Sequence, residues 1–208
     1  MNIDPTSSTE LYRRAAQPVL DELAELGFKV HQLPELRRFG ARYAVAVPAL
    51  ARHLASTQHA GVKEDLARVL AVPWAKEHAL RPLLQTFRST PNSPPATKAA
   101  IAAAIEVLAD ASIELELIEL CLATEHGNAR ELLVLALAKL DSPGVVEVLT
   151  DLLRDRGVGG HALRALLARA QRGRIEFDAL HIKPYFGDGR AWVRRAAKEL
   201  AQVIDAQR

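Results

Sequence analysis

An all-α fold built from short stacked helix pairs, an α-solenoid of about five pairs, is predicted by three features of this 208-residue sequence. Apolar residues return with helical rather than strand spacing, in short segments divided by Gly- and Pro-containing turns. The unit so formed recurs every 30 to 35 residues. Leu and Ala dominate a 49% hydrophobic chain with only 5% aromatics, a composition that suits thin helix–helix layers better than a sandwich.

The chain begins with a polar stretch, Asn2 to Ser8, expected to fray. Thr9 to Leu26 reads as a helix with Leu11, Ala15, Val19, Leu23 and Leu26 near one face, Pro18 as a kink point and Gly27 as its stop. Phe28, Val30, Leu33, Leu36 and Phe39 fit either an irregular or a helical segment. Residues 1–42 are therefore expected to cap an array that occupies residues 43–208.

Five pairs come next in order. The first sets Ala46–Ala55 against Val62–Leu70, and the second sets Trp74–Phe87 against Pro94–Leu108 across the loop Ser89–Ser93. The third joins Ile113–Leu122 to a helix capped by Asn128, with Glu131 three residues on completing a capping box. The fourth begins at Ser142, with Pro143 in the first helical position, and turns through Gly157, Gly159 and Gly160 into its second helix. The fifth pairs Phe177–Tyr185 with Ala191–Ile204. Each apolar stripe is too small to offset the ordering entropy of its own helix, about 1–2 kcal/mol per residue, unless neighbouring units share the burial.

The second helices align without gaps when Lys63, Lys98, Arg130, Gly160 and Arg194 are made equivalent, at spacings of 35, 32, 30 and 34 residues. Three residues on stand Leu66, Ile101, Leu133, Leu163 and Ala197, and seven on stand Leu70, Ile105, Leu137, Leu167 and Ala201. Both columns are apolar, and the reference column is basic except at Gly160.

The segment Asp188–Leu200 (DGRAWVRRAAKEL) resembles the second helix of a HEAT repeat, with Asp in the turn, Val-Arg at the helix start and Ala and Leu thereafter. Pro82 before Leu83–Leu84 and Pro48 before Leu50 look like the proline of the first HEAT helix, and Asp141–Leu153 is similar to bacterial HEAT-like repeats, of the kind also found in bilin lyases. The resemblance covers about Tyr43 to Val203 and departs from the pattern at Gly160, in the Pro-rich loop of the second pair and at Pro184. It implies a right-handed α-solenoid whose second helices line the inner surface.

Net charge is only +2, yet the second helices carry more basic than acidic side chains and the first helices the reverse. Such separation steers an acidic partner to one face. The expected function is a non-catalytic scaffold or adaptor that binds a protein partner with an acidic surface through Lys63, Lys98, Arg130, Arg164, Arg194 and Arg195. The competing expectation for those charges is a solvated face with pairs such as Arg195–Glu199. The alternative function is nucleic-acid binding or DNA glycosylase-type chemistry, which calls for Trp74 or Trp192 beside an uncompensated acid.

No catalytic constellation is found. The seven histidines show no His-Glu-x-x-His pattern and read as surface or turn residues, so no metal or cofactor is expected. The run Asp155–His161 (DRGVGGH) lacks the strand and Lys-Ser/Thr pair of a phosphate loop and reads as a turn. Lone Cys121 reads as a core residue that demands no oxidising compartment, and with no membrane-length apolar run the cytoplasm is the expected location.

Overall fold

The computed structural model describes residues 5–173 and 175–207, and all regular structure in them is helical. The chain forms two compact units, Met1–Leu108 and Ala109–Arg208. The boundary expected at residue 43 thus falls inside the first unit, where the N-terminal helix packs against α2 and α3, defined below.

In the first unit, α1 (Pro5–Glu25) runs through Pro18 as one helix and ends at Gly27, whose φ of 90° supplies the left-handed stop. The fraying expected over Asn2 to Ser8 is corrected from residue 5 onward, where the chain is already helical, while residues 2–4 lie outside the described residues. The segment that fits either an irregular or a helical reading contains a 3₁₀ stretch, Leu33–Ala46, broken at Gly40. It leads into α2 (Val47–Ser56), succeeded by α3 (Ala60–Leu70), α4 (Lys76–Ser89) and α5 (Pro95–Leu108). Pro48 opens α2 whereas Pro82 sits within α4, so the two prolines matched by sequence occupy different helical positions. The Thr86 hydroxyl donates to the Pro82 carbonyl at 2.7 Å.

The second unit holds α6 (Glu114–Leu122), α7 (Arg130–Leu137), α8 (Pro143–Leu152), α9 (Gly159–Arg172) and α10 (Ala191–Ala206). Where a full first helix was expected before α10, the chain forms a 3₁₀ stretch, Ala179–Gly187, capped by the Asp178 side chain on the Leu180 amide. Ser142 takes the extended cap conformation before Pro143, though its hydroxyl makes no capping bond. The Asn128–Glu131 capping box does not form. Residues 124–129 are instead a 3₁₀ turn, and α7 starts after Ala129 without a side-chain cap.

Within the first unit α2 packs on α4 and α3 on α5, while α2–α3 and α4–α5 form hairpin contacts. The second unit repeats the arrangement, with α7 on α9, α9 on α10, and α6 on α7. Within each unit, first helices thus meet first helices and second helices meet second helices, because each apolar stripe is completed by that of the neighbouring helix pair. The two apolar columns carry this packing. Leu66, Ile101, Leu133, Leu163 and Ala197 are all fully buried, and in the second column only Ala201 reaches partial exposure.

The kink before α7 depends on Gly127, at φ 55° and ψ −139°. No atom lies within 4 Å of the position a Cβ would take, so substitution there meets backbone strain and no clash. Gly127→Ala is expected to lower stability by about 1–3 kcal/mol, read as a shift in the urea midpoint at unchanged slope.

Candidate protein-binding face

The basic column assigned to partner contact is not, for the most part, on the surface. Lys63, Lys98 and Arg130 are only 7%, 3% and 4% exposed. Helical phase explains this: the column lies three residues before one buried column and seven before the other, on the same side of its helix.

The buried cations hold loops. Arg130 Nε donates to the Gly127 carbonyl at 3.1 Å, Nη1 to the Cys121 carbonyl at 2.9 Å and Nη2 to Asp155 Oδ2 at 2.8 Å. Lys98 Nζ reaches the Pro91 carbonyl at 3.4 Å and lies 4.5 Å from the centre of the Phe87 ring. Half-buried Arg194 donates to the carbonyls of Asp188 at 2.6 Å and Gly189 at 3.0 Å. Each fastens the turn leading into its own helix, so the side chains of Lys98, Arg130 and Arg194, expected to meet a partner, are engaged with carbonyls of the chain itself. Lys63 is equally buried and opens only into a small hollow.

Asp155 completes the Arg130 clasp. Burial pushes its carboxyl up, but hydrogen bonds from Arg130 and from the amides of Gly157, at 2.7 Å, and Val158, at 3.2 Å, outweigh it and hold the carboxyl below the usual aspartate range. Because Asp155 takes those two amides, residues 155–158 form a closed turn around Gly157, and Gly159 and Gly160 already belong to α9. Cys121 is buried, and burial pushes its thiol up.

Two of the six predicted contacts remain exposed, Arg164 on α9 and Arg195 on α10. Trp192, 36% exposed, lines the same hollow as both. Arg164 and Arg190 lie over its ring at 5.7 and 5.4 Å, and the His161 ring is 5.1 Å away. Gly160, the departure from the basic column, is explained here. A Cβ at that position would meet Trp192 Cη2 at 3.0 Å and Arg190 Nη2 and Val193 Cγ2 at 3.1 Å. The space taken by a basic side chain in other repeats is occupied by the indole.

Arg190 is itself anchored, donating from Nε and Nη2 to the two oxygens of Asp188 at 3.0 and 2.9 Å. Those bonds, with the Arg190 amide, hold the Asp188 carboxyl down at about 2. Arg195 has no hydrogen-bond or ion-pair partner among the described residues, and the intrahelical Arg195–Glu199 pair does not form. Arg164, Leu167, Gln171, Trp192, Arg195 and Glu199 line an open hollow of about 460 Å³. The result is a surface with two guanidiniums that have no carboxylate partner among the described residues, beside a fixed, half-exposed indole.

Trp74 is 41% exposed and belongs to the first unit, edge-on to Tyr43 at 6.0 Å. Among the described residues, no three His, Cys, Asp or Glu side chains converge as a metal site, and no helix is long and apolar enough to cross a membrane. Of the histidines expected at the surface or in turns, His126 lies in the turn Thr124–Ala129 and is buried.

No family profile, curated protein or solved structure matches this chain.

Proposed function

We propose that this chain is a non-catalytic, cytoplasmic scaffold or adaptor of the HEAT-like class, a right-handed α-solenoid that binds an acidic segment of a protein partner on the exposed α9–α10 face. Like-with-like packing of first and second helices supports the repeat reading. The observation that carries the binding reading is that Arg164 and Arg195, free of carboxylate partners among the described residues, line one hollow with half-exposed Trp192. An acidic side chain entering the hollow gains charge-assisted hydrogen bonds, and its apolar neighbours pack on an indole already fixed by Gly160 and His161. The indole needs little further ordering, so the ordering cost falls on the two exposed arginines.

A second reading, nucleic-acid binding, is favoured by the same indole, since a ring flanked by arginines also accepts a stacked base and Glu199 lines the hollow without a partner of its own among the described residues. Affinity capture from the source lysate, with and without nuclease, separates the two. Arg164→Glu/Arg195→Glu is expected to reduce capture of a nuclease-resistant protein partner by about tenfold or more, at least 1.4 kcal/mol, with unchanged helicity by circular dichroism. Capture that disappears with nuclease selects the second reading. Undiminished capture by the double variant rejects this face.

A further inference from the structure

Lys63 breaks the rule its own column sets. Lys98, Arg130 and Arg194 each donate to a carbonyl of the preceding turn. The turn before α3 is shorter, only Thr57 to His59, and offers Lys63 none. Among the described residues its ammonium has no carboxylate or carbonyl partner, although the residue is 93% buried, being 7% exposed. Burial alone moves its pKa, downward, with no carboxylate to restore it. Its stem is buried, and the ammonium reaches water only where the chain opens into the hollow that Lys63 lines.

The hollow is about 330 Å³ and lies inside the first unit, between the start of α3 and the loop that precedes α5. The rest of the lining is neutral, including Gln58, Asn92 and Ser93, and contains no acid. Ser89 and Thr90, also in the lining, already donate their hydroxyls to the Thr86 carbonyl, which leaves Asn92, Ser93 and the free amide hydrogen of Gln58 as side-chain donors. The loop is held in place from behind by Lys98 on the Pro91 carbonyl. The hollow is thus open to solvent, with Lys63 as its one charged residue, neutral donors and no competing anion, and prolines at 94 and 95 stiffen its rim.

We propose that this hollow binds a phosphate-class oxyanion, with Lys63 as its counter-ion and Asn92 and Ser93 as hydrogen-bond donors. The site lies on the first unit and does not depend on the α9–α10 reading. Phosphate fits better than a carboxylate because its oxygens can meet a single cation and several donors converging from different sides. An anion that binds the folded unit there, and not the unfolded chain, would stabilise it.

The test is a ³¹P NMR titration of the full chain with inorganic phosphate at constant ionic strength, with acetate as a competing carboxylate. Wild type is expected to give a saturable shift that acetate displaces poorly, together with a higher melting temperature in phosphate than in chloride. Lys63→Met should lose both responses, because it removes the cation that holds the anion. Asn92→Asp provides the check should Lys63→Met fold poorly: residue 92 is exposed, the variant keeps Lys63, and the added carboxylate should abolish phosphate binding. A non-saturable wild-type response, or equal binding by wild type and Asn92→Asp, overturns the proposal. Displacement by equimolar acetate overturns the phosphate assignment.

Discussion

Arg130→Met is expected to destabilise the second unit by about 3–5 kcal/mol, the range for breaking a buried ion pair by removing one partner. The side chain is 4% exposed and fills three roles at once, serving the Cys121 and Gly127 carbonyls and the Asp155 carboxylate. Met keeps much of the volume but leaves both carbonyls and the carboxylate without that donor. The acid limb of the stability profile should change as well. Asp155 is held below the usual aspartate range in the folded chain, so its contribution is present above that range and is lost as pH falls through it. Arg130→Met removes much of that depression and should flatten the loss on acidification. Urea unfolding at neutral pH and across the acid range checks both effects. A shift below about 1 kcal/mol, the size of one ordinary hydrogen bond, would mean that the clasp is not structural.

Gly159→Ala is expected to cost about 2–4 kcal/mol, combining overpacking with a lost hydrogen bond. Its φ is not positive, so the cost comes from space and not from backbone conformation. A Cβ would collide with the Tyr185 hydroxyl and lie 2.8 Å from the Leu153 carbonyl, which accepts that hydroxyl's hydrogen bond. One neighbour is backbone at the end of α8 and the other belongs to a buried ring, so neither can give way cheaply. Tyr185→Phe removes only the hydroxyl. In the Gly159→Ala background it should therefore cost less than it does alone, a coupling that a double-mutant cycle in melting temperature would detect.

Much of this fold was legible in the sequence. Apolar columns at fixed offsets from the reference residue located every second helix, and Gly27 and Pro143 marked real boundaries. What could not be read was the fate of the reference column. A basic residue at a helix start reads as a surface charge when its neighbours in space are unknown, and the turn carbonyls that bury Lys98 and Arg130 carry no sequence signature of their own. The capping box at Asn128 failed for a related reason, since Gly127 bends the chain and Arg130 satisfies the turn in its place. One sequence signal does point to the exposed face. Gly160 breaks the basic column next to a helix bearing Trp192, and a small residue opposite a large one is how facing layers interdigitate. That pairing singles out the face on which Arg164 and Arg195 remain exposed.

The most direct test of the central claim, that α9–α10 and not the rest of the second unit meets the partner, is site-specific photo-cross-linking. A photoreactive phenylalanine would replace Gln171, which lines the hollow beside Trp192, and in a separate sample Leu115 on α6, which is 77% exposed. Cross-linking to a protein partner from position 171 and not from position 115 is the predicted result. Cross-linking from 115 with none from 171 would contradict it and move the binding surface to the first helices.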